Sequence, residues 1–361
     1  MLKRNFALLI AGALAVLTLG GSVAYAAEKP MIVRGLTCPF GCGGVSQQVM
    51  FSAQLARNGE KLMFAPQETP GYMYNVRAMA NKKYWKNTMF GSEDAIIQLA
   101  LQGGRPELKE FLPEVVPIKF QMLYNEAIPF HGKFWVTFDP DIKTAADLKG
   151  KRVSLGLRGQ SDWGVFPRLF LEHAYGITPD NTDIRHMPPT GITQQLIDGA
   201  TDAGITPFIT NSNRDVWFKP GPLRQLEAAG RTMHYVGIDQ KAVDTINEMF
   251  GTTFWLEKIP AGTLKDQKED VFFGAERANQ MVHPDFDEKM AYEVVMMAAK
   301  YGAKMRELKG GLWILWSPSM MLDGMTEENT HAGAIRAYKE LGWWDKHRGG
   351  VPMTYPKPYK G

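Results

Sequence analysis

Three short stretches of the chain place small residues just ahead of a helix start: Gly41 to Ser46 (GCGGVS), Gly91-Ser92, and Gly156 to Ser161 (GLRGQS). Turns of this kind let backbone N–H groups approach a ligand, and a helix N-terminus carries partial positive charge. Together they suit a carboxylate or another small anion. The binding candidates within them are Gly43, Gly44, Ser46, Gly91, Ser92, Gln160 and Ser161. Arg158, inside the third stretch, offers a fixed charge and a bidentate fork; the competing reading is a surface salt-bridge arginine. Trp163 reads equally as pocket wall or core, and Thr206, closing a strand-like run from Ala203, is a further ligand candidate.

Catalytic chemistry is not signalled. The chain has no H-E-x-x-H, G-x-S-x-G, Walker or G-x-G-x-x-G pattern, and its seven histidines show no ligand spacing on one helix face. No enzyme, metal or cofactor is therefore expected. The two cysteines, Cys38 and Cys42 in CPFGC, suit a local disulfide in an oxidising compartment better than free thiols or half a zinc site.

The elements that must position these turns alternate strand-like and helical runs, which points to an α/β fold with largely parallel sheets. Strands are expected at Met31 to Arg34, Leu62 to Ala65, Phe120 to Asn125, Phe134 to Phe138, Arg152 to Leu155, Ile184 to His186 and Ala203 to Thr206. Helices are expected at about Ser46 to Ala56, Tyr72 to Ala80, Gln194 to Gly199 and Asp285 to Leu308. Another begins after Ser92 as N-cap, with Glu93 and Asp94 in its first turn. A helix that includes Pro167 must start late or kink.

The N-terminus carries Lys3 and Arg4, an apolar run from Phe6 to Gly20 and Ala24-Tyr25-Ala26, which reads as a cleaved signal peptide over residues 1–26 and export to the periplasm. Removing it leaves 39 basic against 38 acidic residues, so charge gives no case for nucleic acid or an anionic membrane as partner. About 335 remaining residues suggest two domains.

Four segments resemble TAXI-type solute receptors of TRAP transporters: GGVSQQ, PDIKTAADLKGKRVSLGLRGQSD, IPAGTLKDQKEDV and HAGAIRAYKELG, in that order. The resemblance implies a two-lobed periplasmic binding protein fold (type II), each lobe a mostly parallel sheet flanked by helices, with the ligand in the cleft between lobes. Residues 28–138 and 256–361 would form the first lobe and 139–255 the second. The partners implied are a small organic anion and the integral membrane subunits of a TRAP transporter driven by an ion gradient. That family is associated with glutamate and 2-oxoglutarate. Here Ser46 and Gln47 stand where it has paired tyrosines, and Arg158 and Trp163 are gained, so a roomier site for another carboxylate is expected. The alternatives are the binding protein of an ATP-driven anion or sulfonate importer, and a periplasmic sensor that presents ligand to a receptor.

Overall fold

A computed structural model describes residues 30–40, 42–131, 134–309 and 311–361; the segment 1–26 expected to be a signal peptide and Gly41 lie outside them. Met31–Leu36 (β1) pairs in parallel with Leu62–Gln67 (β2) on one side and Thr88–Glu93 (β3) on the other. Parallel strands cannot be joined by a hairpin, so the chain returns through helices: Gly43–Arg57 (α1) after β1 and Tyr72–Ala78 (α2) after β2. A third helix, Asp94–Leu101 (α3), leaves directly from the end of β3.

From Gln121–His131 (β4) the chain passes into a second sheet made of Trp135–Thr137 (β5), Arg152–Leu155 (β6), Asp183–His186 (β7), Ala203–Ile205 (β8) and, after a short ribbon of Ile209–Thr210 (β9) and Trp217–Phe218 (β10), His234–Val236 (β11). It then returns through the helix Gln240–Phe250 to Trp255–Ile259 (β12) and Val271–Val282 (β13) in the first sheet.

The two sheets share one plan. Each has three parallel strands, β2-β1-β3 and β7-β6-β8, followed by an antiparallel neighbour, β13 beside β3 and β5 beside β8. The first sheet is completed by two stretches of chain, β1 to β4 and β12 to β13, whereas all strands of the second come from the single stretch between β5 and β11. This is the two-lobed periplasmic binding protein fold, with two α/β halves joined by two connections. Strand β5 lies at the first crossing and is hydrogen-bonded within the second sheet.

Local departures from the sequence reading have identifiable causes. Ser92 does not cap a helix. It lies in β3, where the strand runs on to Glu93, and Glu93 occupies the cap position of α3 without a side-chain capping bond. Pairing of Ser92 with Asn279 of β13 holds it extended, a long-range effect absent from local propensity. The helix expected from Gln194 begins earlier, at Pro189, whose ring suits a first turn. Around Pro167 the chain makes one α turn, Phe166–Leu169, between two wide turns, Ser161–Val165 and Phe170–Ala174. Proline has no N–H for the carbonyl four residues back, and that carbonyl, Trp163 O, instead accepts from Gly156 N at 2.6 Å.

Arg277 of β13, an interior strand of the first sheet, is fully buried. It pairs with Asp94 of α3 at 2.5 Å and with Asp323 at 2.9 Å. Among the described residues no helix is long and apolar enough to cross a membrane.

Candidate functional site

The site grows from a polar row across the first sheet. Gly91 of β3 faces Gln280 of β13, and Gln280 faces Tyr124 of β4, so the three sit side by side. Paired residues project to the same face. One step along, Ala278 and Asn279 are consecutive on β13 while their partners on β4 are Ala127 and Asn125. Glu126 is therefore the extra residue of a β-bulge, a device that re-aims a side chain.

The bulge brings the Glu126 carboxyl against two donors. Tyr72 Oη, from the first turn of α2, donates to it at 3.3 Å, and the Gln280 side-chain amide donates to its other oxygen. Gln48 of α1 extends the chain, with Nε2 donating to Gln280 Oε1 at 3.1 Å. All are buried. With no cation against it in this network, burial pushes the Glu126 pKa up to about 8, against the two hydrogen bonds that lower it. Burial also holds the Tyr72 hydroxyl well above its usual range, reinforced by the carboxylates of Glu126, Glu93 and Asp162.

Two of the glycines singled out in the sequence make room for Tyr72. A Cβ on Gly44 would lie 2.2 Å from Tyr72 Oη, and one on Gly91 would lie 2.6 Å from its ring. Their lack of a side chain thus serves the phenol at this site. Gly43, beside Gly44 at the start of α1, packs against Leu312. Ser46, in the first turn of the same helix, is exposed. Cys38 and Cys42 form a disulfide that holds the approach to α1, with Cα atoms 6.1 Å apart.

The second half meets this cluster through its own loop. A Cβ on Gly71, just before Tyr72, would come within 2.5 Å of Gly159 O, and Gly159 faces Pro70 O in return. Gly71 has φ 136°, a backbone region open to glycine. The turn is closed by Gln160 Oε1 accepting from Leu157 N at 3.1 Å. Ser161 and Asp162 follow, both buried, and Asp162 is near enough to act on Tyr72. The buried phenol of one half thus lies within reach of a carboxylate of the other. His186, at the end of β7, donates from Nδ1 to Gly156 O at 2.7 Å, which leaves Nε2 as a buried acceptor with no hydrogen-bond partner.

The remaining candidates lie elsewhere. Arg158 is largely exposed and pairs at 2.8 Å with Glu110 of the first half. Its charge is spent at the rim, as in the surface salt-bridge reading. Trp163 is half-buried, with its Cβ packed where a side chain on Gly156 would stand. Thr206 is buried beyond β8, with Oγ1 lacking a hydrogen-bond partner. Ser92 is buried and bonds only locally, from Oγ to Glu93 O at 3.4 Å.

The residues that sequence reasoning missed are Tyr72, Tyr124, Glu126, Gln48 and Gln280. A signal for two of them exists: Glu126 and Gln280 are polar residues within strands that also carry long apolar side chains, where a buried polar side chain needs a reason.

A family model described as the NMT1-like family matches residues 67–342. The chain belongs to the NMT1-like family. This match takes in three of the four segments that suggested a TAXI-type receptor of a TRAP transporter, and it replaces that assignment, together with the TRAP membrane subunits as partners. Those segments are short strand-entry, turn and helix-start sequences, which similar folds can share without sharing a transporter.

Among solved structures, a periplasmic sulfonate-binding protein from Methylobacillus flagellatus is 14% identical, with TM-score 0.48, over 92% of this chain and 100% of that one. A protein from Prochlorococcus marinus in complex with methylphosphonate is 10% identical, with TM-score 0.46, over 87% and 99%. The aliphatic sulphonate binding protein of Escherichia coli is 14% identical, with TM-score 0.34, over 91% and 81%.

Proposed function

We propose that this NMT1-like protein is exported to the periplasm, captures a small organic anion between its halves, and delivers it to an importer driven by ATP. The observation that carries the capture step is the meeting of Pro70-Gly71 with Gly159-Gln160 directly above Tyr72. Backbone-to-backbone contact there draws the ends of parallel strands from both halves around one polar cluster. Ligands of open α/β sheets bind at such strand ends.

Buried polar atoms at this place support the reading further. Both amide atoms of Gln47, Oε1 of Gln48 and the Tyr124 hydroxyl are buried without a hydrogen-bond partner. Each such group costs about 1–3 kcal/mol unless something satisfies it. A solute held there would do so. Binding would favour the closed arrangement, which the membrane subunits would recognise.

The anion would lean on neutral donors and the start of α1, since Arg158 is engaged at the rim. The sulfonate-binding protein from Methylobacillus flagellatus is described with a sulfonate ABC transporter, and an importer of that kind is proposed here as the membrane partner.

The test is a thermal-shift screen of the mature chain against carboxylates, sulfonates and phosphonates, followed by uptake of the best binder with the membrane subunits. A ligand at 100 times its Kd should stabilise by about 2.7 kcal/mol. ATP-dependent uptake supports the proposal. Uptake that follows an ion gradient instead overturns the importer type, and absence of any binder overturns capture.

A further inference from the structure

We propose that the second half carries a separate site for a small oxyanion of the phosphate or sulfate class, held by Arg231, Arg152 and Thr201. It stands apart from the solute site. Strand β6 starts at Arg152 and ends before the Gly156 loop, so those two residues lie about 13 Å apart along the strand.

The starts of β6, β8 and β11 and the end of antiparallel β5 lie at one end of the second sheet. A cavity of about 180 Å³ opens there, lined among others by Phe138, Asp139, Arg152, Thr201, Asp202 and Arg231. Pockets for whole organic ligands run to about 300–1,000 Å³, so this space suits a group of a few heavy atoms.

The carboxylates of this wall are already engaged. Asp202 Oδ2 accepts from Arg152 N at 2.8 Å and from Arg152 Nε at 3.1 Å, while Oδ1 accepts from Arg152 Nη2. Asp139 Oδ1 accepts from Asp141 N at 2.9 Å, and its Oδ2 pairs with Lys151 at 3.6 Å. Donors are left over. Of the two cations lining the cavity, Arg152 is shared with Asp202, whereas Arg231 pairs with no carboxylate among the described residues. The unbalanced charge is therefore positive and selects an anion. A second observation points the same way: Thr201 is 3% exposed, and its Oγ1 is buried without a hydrogen-bond partner. A buried hydroxyl left so is costly unless something satisfies it.

Arg231 is held ready for this role. Its guanidinium lies over the Phe138 ring at 4.2 Å. Its Nη1 donates to Leu196 O at 3.3 Å and Ile197 O at 3.4 Å, at the end of the helix Pro189–Ile197. These contacts fix the plane of the fork and leave its Nε–Nη2 edge to take two oxygens of one acid. Arg152 Nη1 and the Thr201 hydroxyl bring donors from two further elements. A tetrahedral oxyanion offers oxygens to all three sources, where a carboxylate has only two oxygens.

The experiment records proton–nitrogen NMR spectra of the mature chain during titration with sodium phosphate, sodium sulfate and sodium acetate, with sodium chloride at matched ionic strength as control. The expected result is saturable shifts of the Gly199, Thr201 and Asp202 amides and of Arg231 Nε with phosphate or sulfate, and none with chloride. Arg231→Gln should raise the Kd about ten-fold or more, and Thr201→Val about three-fold. The unmodified chain decides the matter should either variant fail to fold. The same response to chloride, or no saturation at these groups, overturns the site. Acetate binding as tightly as both oxyanions overturns the ligand class. Shifts confined to Gly44, Tyr72 and Gln280 would report the solute site alone and overturn this one, leaving the solute receptor standing.

Discussion

Replacing Glu126 with Gln tests whether a buried carboxyl without a cation governs this protein's response to pH. Glu126 is fully buried, with a pKa raised from 4.5 to about 8. Between those values the native state holds a proton that the unfolded chain has released. Stability therefore falls as pH rises through this window, the reverse of a salt-bridged carboxylate. Each pKa unit is worth about 1.36 kcal/mol, so the loss from pH 4.5 to pH 8 amounts to about 5 kcal/mol. An amide is nearly isosteric, accepts from Tyr72 as the acid does, and never charges. Glu126→Gln should cost about 1 kcal/mol at pH 5, where one hydrogen bond is rearranged. At pH 8, after the wild type has lost about 4 kcal/mol relative to pH 5, the variant should be the more stable by about 2–3 kcal/mol. Urea unfolding midpoints of both proteins at half-unit steps from pH 5 to 8.5 provide the comparison. A difference between them that stays constant across the series refutes the reasoning, because it would mean that Glu126 does not change its charge on unfolding within that range.

Two further outcomes follow from the same geometry. Gly44→Ala places a methyl 2.2 Å from Tyr72 Oη and should displace the phenol, destabilising by about 1–3 kcal/mol and lowering affinity for the solute found in the screen; denaturation and calorimetry on one preparation measure both. Arg158→Ala removes an exposed ion pair with Glu110, and melting curves should show a change of about 0–1 kcal/mol, with affinity retained.

What the sequence determined was the local grammar. The apolar runs at Met31, Leu62 and Arg152 became strands, because such runs flanked by Gly and polar turns have few other ways to be buried. The long helix Glu288–Glu307 followed from the spacing of Met290, Val294, Met297 and Tyr301. The glycine turns were also legible as places of close approach, since only a missing side chain permits one.

What approaches them was decided by tertiary structure. Tyr72 fills the space at Gly44 and Gly91 because α2 packs over β3, and no local pattern encodes that packing. The bulge that turns Glu126 inward exists only once β4 is paired with β13, more than 140 residues away in the chain. Arg158 looked like an anchor within its loop and found its partner across the rim instead. A charge in a sequence carries no direction; its neighbours in space, chosen by sheet order and by the meeting of two halves, decide whether it binds a ligand or a side chain.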